Sequence, residues 1–565
     1  MNAVIHTRRP DAKAEQMLLS AGTPPLLARL FAARNVHSPA ELRNHLDSLL
    51  PYRSLKNIGE AAARLAQAVQ NREKITIVAD YDVDGATACA VGILGLRRMG
   101  ACVDFLVPDR FRHGYGLTPQ LAEQAARLGT QLLMTVDNGI SAVEGVACAR
   151  ELGMDTIITD HHLPADRLPE GIIVNPNQPG CGFASKHLAG VGVVFYVLTA
   201  LRALLRSQQW FAAEGLPEPN LAELLDLVAL GTVADVVTLD HNNRILVTQG
   251  LRRIRAGKTR PGIKALFQVA ARETAQAQPF DLGYAIGPRL NAAGRLDSME
   301  IGIRCLLSDD PSEAAELAGY LNEINRSRQE IEQSILHQAT DDAARSAAEG
   351  HLGITVFQPG WHQGVIGIVA GRLKDRFYRP AIVFAAAGNG EIRGSGRSIP
   401  ALHLRNAIDL AAKRHPGLIL RFGGHAMAAG LSIREQDFGR FRSAFEGILA
   451  ELLDPAALTR TFVTDGSLAP DELSLQTAEV LSEPVWGQGF QPPCFHNRFD
   501  VVWQKVVGNG HTKAGLGCGG QVVEAMFFRC TEELPPKIHT VYRPVANQWR
   551  NRHELQLHIE HWEAD

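Results

Sequence analysis

Three aspartates alternate in 75-ITIVADYDVDGAT-87, where Asp80, Asp82 and Asp84 stand directly behind an apolar run. Like charges this close repel, and taking them out of water adds a desolvation cost, so the segment needs a compensating partner. On an extended backbone, residues two apart share a side about 6.6 Å apart, so alternate carboxylates can reach around a pair of cations. Three further stretches have the same character: 137-DNG-139, 160-DHH-162 and 231-GTVAD-235, each expected at a strand or loop end. Carboxylates with an imidazole suit Mn²⁺ or Mg²⁺, whereas a thiolate-rich set would select zinc. Two such ions about 3.5–4 Å apart would cancel the repulsion, activate a water and stabilise the departing oxygen of a phosphoryl group. Calcium loops also open D-x-D-x-D-G, but the twelfth position, a glutamate in those loops, is Val91 here, and a strand-like run leads in. Taken alone, DYDVDG could still be a solvated acidic turn, and His161-His162 a surface or core pair.

The elements that must position these residues follow from apolar rhythm. From Ile75 the runs ITIVA, CVDFLV, QLLMTV, DTIIT and GIIV alternate with helical stretches such as 86-ATACAVGILGLRR-98. Short unalternating runs separated by helices predict an α/β fold with a parallel sheet covered on both faces. Ligands of such sheets bind beyond the carboxyl ends of the strands. Asp80 follows ITIVA, Asp137 follows LLMTV and Asp160 follows TIIT. Residues 1–70 read as a helical extension and 71–310 as the parallel-sheet domain. Residues 311–348 read as one amphipathic helix, with Leu317, Leu321, Ile324, Ile331 and Ile335 on one stripe. It would reach roughly 50 Å, enough to bridge two domains. A second α/β unit is expected over 349–455, and a small β-barrel or sandwich over 456–565.

At 565 residues the chain is too long for one core. Its 45% hydrophobic and 21% charged content is that of a soluble globular protein, and no run approaches the ~20 apolar residues of a membrane span. The first residues lack the apolar core of a signal peptide, and the eight cysteines form no C-x-x-C pair, so a reduced, cytoplasmic protein is expected. The net charge of −3 does not advertise nucleic acid. Residues 241–272 nevertheless hold no acid and include Arg244, Arg252, Arg253, Arg255, Lys258, Arg260, Lys264 and Arg272, a candidate phosphate-facing surface or a solvated basic face.

Taken in order, D-x-D-G, DNG, DHH and the aspartate of GTVAD resemble the motif series of the DHH phosphoesterase superfamily. The stretches 284-YAIGPRLNAAGRLDSM-299, 393-RGSGRS-398 and 422-FGGHAMAAG-430, with the long helix and terminal β domain, narrow the resemblance to its single-strand-specific 5′→3′ DNA exonucleases, from about residue 20 to the end. The resemblance implies a DHH catalytic domain, a DHHA1-type substrate domain and an oligonucleotide-binding barrel. It implies two divalent cations, Mn²⁺ or Mg²⁺: one held by Asp80, Asp82 and Asp137, the other by Asp84, Asp137, His161 and Asp235, with Asp137 bridging. Asp80 would replace a histidine that many members carry before the first D-x-D, where Val78 stands. Asp160 would orient a histidine and His162 would sit near the scissile phosphate.

For the substrate, the resemblance points to the loop 109-DRFRHGYG-116, with Arg110, Arg112, His113 and Tyr115, and to Ser395, Arg397, Gly424 and His425 in the glycine-rich stretches of the second unit. Arg110, Ser395 and Arg397 would contact a 5′-phosphate, while ordinary surface turns are the plainer reading of both stretches. Arg289, Asn291 and Arg295 would face the strand, unless Arg295 pairs with Asp297 or Glu300. On the barrel, Trp503, Lys505, His511 and Lys513 are candidates, with Trp503 more expected as core. The implied activity is 5′→3′ hydrolysis of single-stranded DNA to 5′-mononucleotides in repair and recombination. The implied partners are a single-strand binding protein and a helicase; no membrane contact is expected, and the chain is expected as a monomer. Two alternatives stand beside this: a superfamily activity on short oligoribonucleotides or cyclic dinucleotides, whose enzymes generally lack the long helix and barrel, and a non-catalytic replication scaffold, which leaves the acids unexplained.

Overall fold

The acids are carried by a five-stranded parallel sheet. In the computed structural model, which describes residues 3–108, 116–508, 510–549 and 552–565, its strands lie in the order Cys102–Leu106, Lys74–Ala79, Leu132–Val136, Asp155–Thr159, Ile172–Val174. The chain steps outward from Lys74–Ala79 to Cys102–Leu106, then returns on the other side with Leu132–Val136. That reversal is a topological switch point and opens a crevice beyond the strand ends. Alternate strand residues serve two cores. Ile77, Ala79, Met134 and Val136 pack with helices Ile58–Gln70, Val83–Arg98 and Gly190–Ser207. Val78, Leu133 and Ile158 pack with helices Pro119–Arg127 and Val143–Glu151. Burial on both faces is why the runs do not alternate. Helix Gly190–Ser207 has a mean hydropathy of 1.4, long and apolar enough to cross a membrane, but two-thirds of it is buried in this core.

Helix Pro311–Ala348 is 38 residues long, about 57 Å, and starts where Asp310 caps Ser312 and Pro311 takes the first position. Ala314, Ala318 and Leu321 join the first core, and Ile335, Ala339 and Ala343 join the core of the second unit. Between them, buried Arg328 bonds Asn325 and Glu332, and Glu332 reaches Arg372 of helix Ile366–Phe377. The second unit is a mixed sheet ordered Arg421–Gly424, Ala428–Arg434, Glu391–Arg397, Ala381–Gly388, Ile354–Phe357, with only the last pair parallel. The stretch RGSGRS, for which a tight turn was the alternative reading, is mostly strand: Ile392, Gly394 and Gly396 are buried while Arg393, Ser395 and Arg397 face outward, a period of two.

The last strands, Phe495–Val507, His511–Cys518, Gln521–Phe527, Arg552–Ala564 and Lys537–Trp549, close into a barrel in that order. The N-terminal extension is not purely helical. Val4–Thr7 pairs in parallel with Thr461–Thr464, and Arg34 makes a buried 2.8 Å ion pair with Asp465. One apolar core therefore runs from the N-terminal helices through the parallel-sheet unit to the barrel. The basic run 241–272 is split: Arg252, Lys258, Lys264 and Arg272 are exposed, whereas three other arginines are tied inward. Arg244 lies over the Phe490 ring and bonds the Leu239 and Glu41 carbonyls, Arg255 bonds Ala277, and Arg260 caps carbonyls at 306–308.

Candidate active site

The chain does not stay extended through DYDVDG. Asp80 ends the strand, Asp82 caps helix Val83–Arg98 by accepting from the Gly85 amide, and Asp84 lies in the first helical turn. The strand-to-helix turn, rather than two-residue strand spacing, brings the three carboxylates together. Asp137 sits in a left-handed conformation (φ 61°) with its amide on the Thr159 carbonyl. Asn138 beside it donates to the carbonyls of Val78 and Val136, tying the two neighbouring strand ends. Of the two places expected for Asp235, a strand end or a loop end, the strand end is not found. LDLVALGTVA forms the buried helix Leu225–Ala234, and Asp235 is its C-cap. An apolar run of this length reads equally as strand or buried helix.

Ligand atoms of Asp80, Asp82 and Asp137 lie within 4.8 Å of one another, as do those of Asp84, His161 and Asp235, and those of Asp137, His161 and His162. His161 Nε2 is buried 3.1 Å from Asp137 Oδ1, 3.5 Å from Asp235 Oδ2 and 3.9 Å from Asp84 Oδ2, and is hydrogen-bonded to none of them. The Leu188 carbonyl hydrogen-bonds the imidazole, the usual way a metal-binding histidine is oriented. Asp84 accepts the amides of Gly190 (2.6 Å) and Val191 (2.9 Å) at the start of helix Gly190–Ser207. This approach requires glycine, since a Cβ at 190 would lie 2.6 Å from Asp137 Cβ.

Burial, then the charge of Asp82, pushes Asp84 up to about 7. Burial and the neighbouring carboxylates likewise hold Asp80, Asp137 and Asp235 well above the usual carboxylate range. Burial and the charge of His162 push His161 down to about 4, leaving it neutral. His162 goes the other way: burial lowers it, but its 2.7 Å bond from Nδ1 to Asp160 Oδ1 and the nearby acids outweigh that and lift it to about 9. Asp160 is buried, yet three amides (Ile140, His161, His162) and the His162 ring keep it below the ordinary range. Crowded carboxylates and a neutral imidazole, all hard or borderline donors without a thiolate among them, fit one or two divalent cations of the Mg²⁺ or Mn²⁺ type.

Other expected contacts fall in different places. Arg110, Arg112, His113 and Tyr115 lie outside the described residues. Arg289 is tied to Asn322 and the Ala285 carbonyl, and Asn291 Oδ1 accepts the Val83 amide behind the acidic turn. Arg295 bonds the Gly364 carbonyl of the second unit, rather than serving only the face toward the strand. Ser395 and Arg397 sit 3.3 Å apart beside the start of helix Ile366–Phe377, at Gly367. Gly424 ends the edge strand and the His425 amide bonds Ala428. Trp503 is 40% exposed rather than core, with Lys505 over its ring. Lys513 pairs with Glu524, and His511 Nδ1 accepts the Arg529 amide. Sequence reasoning missed Asn175 and Asn177, which bond the His162 and His161 carbonyls and hold the DHH turn. Their signal was the N-P-N that follows the GIIV run, at the end of the neighbouring strand.

A parallel sheet with this cluster at its switch point, joined by a long helix to a mixed α/β unit, defines a DHH-type phosphoesterase. Residues 74–232 match the DHH family N-terminal domain, 350–451 the DHHA1 domain and 464–561 the RecJ OB domain. The chain belongs to the RecJ family. It is 49% identical over 576 residues to the single-stranded-DNA-specific exonuclease RecJ of Dickeya dadantii and 46% identical over 575 residues to that of Escherichia coli, covering 99% of both chains in each case. Its fold follows the crystal structure of RecJ in complex with Mn²⁺ from Thermus thermophilus, with a TM-score of 0.83 at 29% identity, over 100% of this chain and 80% of that one. The Mg²⁺ complex of the same protein gives 0.77 at 28% identity, over 100% and 78%.

Proposed function

We propose that this protein hydrolyses single-stranded DNA from its 5′ end, releasing 5′-mononucleotides, at a centre of two divalent cations. The observation that carries this reading is the pair of ligand groups, Asp80–Asp82 and Asp84–His161–Asp235, meeting at Asp137. When bound, the cations supply an activated water and charge stabilisation for the departing 3′-oxygen. Every other part of the task belongs to side chains. Asp137 serves both ligand groups, and its left-handed backbone aims it between them. Asp160 fixes the His162 ring through Nδ1, orienting an imidazole placed for the scissile phosphate. Ser395 and Arg397, beside the helix start at Gly367, offer donors for a terminal 5′-phosphate, and the barrel's basic and aromatic surface offers a backbone-tracking groove. Together with Arg110, these groups give the reaction its polarity. The family resemblance supports a cytoplasmic monomer acting in repair and recombination beside a single-strand binding protein and a helicase.

Replacing Asp137 by asparagine keeps the shape and removes the shared charge. Digestion of single-stranded DNA with saturating Mn²⁺ should fall by about 10³-fold or more while the metal-free fold is retained. Near-normal turnover in that variant would overturn the site assignment.

A further inference from the structure

Helix Gly287–Leu296, of sequence GPRLNAAGRL, touches both α/β units and supplies no member of the ligand groups. Its inner side braces the acid turn. Asn291 Oδ1 accepts the amide of Val83, the first residue of helix Val83–Arg98, at 3.2 Å. Gly294 lies so close to the carbonyl of Tyr81, between Asp80 and Asp82, that a Cβ at 294 would overlap the oxygen. Any shift of this helix therefore moves the turn that carries Asp80, Asp82 and Asp84.

Its outer end engages the second unit. Arg295 Nη1 donates to the Gly364 carbonyl at 3.2 Å, and a Cβ at 364 would lie 2.5 Å from the Arg295 carbonyl oxygen. Leu296 packs against the core that contains Val365 and Ile366, and Tyr320 of the long helix pins the exit by donating to Asp297 at 2.8 Å. His362 Nδ1 accepts the Gly364 amide at 3.0 Å and fixes the turn that leads into helix Ile366–Phe377. In the first turn of that helix, a Cβ at 367 would lie 2.8 Å from Ser395 Oγ and 3.1 Å from Arg397 Nη2. A line of close joints at Gly367, Gly364 and Gly294 thus runs from the donors proposed for a terminal phosphate to the acid turn. Closely packed backbone has no rotamer with which to absorb a displacement, so movement at one end is passed to the other.

We infer that helix Gly287–Leu296 is a relay: a 5′-phosphate seated at Ser395 and Arg397 steadies the acid turn and tightens its hold on the cations, with Asn291, Gly294 and Gly364 as positioning residues. The inference rests on the terminal-phosphate reading above and adds a coupling to it. Coupling is reciprocal, so the cations favour a 5′-phosphate by the same factor. A strand lying across the centre without a seated end meets a looser cation set, which sharpens the demand for a free 5′ end.

The test uses two oligonucleotides that differ in a 5′-phosphate or 5′-hydroxyl, both with methylphosphonate linkages at the 5′ end to resist hydrolysis. Each is first bound to the full chain in EDTA and followed by fluorescence anisotropy. Mn²⁺ is then titrated into each complex, and the free ion is counted by its electron paramagnetic resonance signal. Wild type should prefer the phosphorylated strand in EDTA and bind Mn²⁺ about 5- to 150-fold tighter in its presence. Gly364→Ala should keep the preference in EDTA but lose the difference in Mn²⁺ affinity. Gly371→Ala, on the same helix with its Cβ no closer than 4.0 Å to Arg397, should keep both. Equal Mn²⁺ affinity of wild type with the two strands overturns the relay and leaves the terminal-phosphate reading standing, and this comparison needs neither variant. A Gly364→Ala protein with the full difference overturns it as well. No preference for the phosphorylated strand in EDTA overturns the terminal-phosphate reading, and the relay with it.

Discussion

Adding one methyl group at Gly190 should disable the centre with little damage to the fold. A Cβ there would sit 2.6 Å from Asp137 Cβ and 2.7 Å from Asp137 Oδ1, while the residue's own amide is held 2.6 Å from Asp84 Oδ2. Ordinary carbon contacts begin near 3.5 Å, so one partner must move by about 1 Å. Ligand sites tolerate about 0.5 Å, and a 1 Å misplacement can cost about 10² in rate. Overpacking costs about 1–3 kcal/mol, partly offset by about 1 kcal/mol of helix propensity gained over glycine. Gly95→Ala is the matched control: its Cβ would meet the flexible end of Leu198 in the same pair of helices, far along the helix from the acids. Steady-state digestion with a Mn²⁺ titration, alongside urea unfolding, separates the two. Gly190→Ala should lose about 10² in kcat or need far more Mn²⁺, and Gly95→Ala should lose stability alone. Equal activities in the two variants would refute the argument that backbone closeness sets the carboxylate geometry.

Stability of the metal-free protein should depend on pH in a definite direction. Asp84, raised to about 7 chiefly by burial, keeps its proton when folded and loses it near pH 4 when unfolded. Between those values the native state binds more protons, so stability falls as pH rises, by about 1.4 kcal/mol per unit and on the order of 4 kcal/mol in all for this group. Urea midpoints in EDTA at pH 5 and pH 8 should show this fall in wild type and less of it in Asp84→Asn, and saturating Mn²⁺ should remove it. A wild type that is as stable at pH 8 as at pH 5 in EDTA would contradict the account. In the long helix, Glu332→Ala would strand buried Arg328 and release Arg372, costing about 3–5 kcal/mol. Urea unfolding should show that loss, and a change below about 1 kcal/mol would mean that this ion cluster does not join the helix to the second unit.

The strand-end acids were legible because a parallel sheet places its ligands at one edge, so Asp80, Asp137 and Asp160 declare themselves by following apolar runs. The long helix was legible from its stripe, and the terminal β unit from strand-like runs with glycine turns, a pattern that left barrel and sandwich open until the strands were seen to close. What could not be read depended on distant partners. Asp235 ends a helix whose sequence, apolar except for Asp226 and Thr232, carries no helical period, because Leu225 to Thr232 are buried on every side. Ser395 and Arg397 alternate on a strand whose inward residues are small enough to look like a turn. Val4–Thr7 is four residues long and takes its meaning only from Thr461–Thr464. Of the basic run 241–272, Arg244, Arg255 and Arg260 spend donors on carbonyls from segments that local sequence cannot place beside them, while Arg252, Lys258, Lys264 and Arg272 stay exposed.

The most direct measurement is digestion of one single-stranded DNA, labelled at either end, in Mn²⁺, in Mg²⁺ and in EDTA. A 5′ label should be lost at once as mononucleotide, a 3′ label should persist in steadily shortening fragments, and EDTA should stop both. Loss of the 3′ label first, or digestion that continues in EDTA, would contradict it.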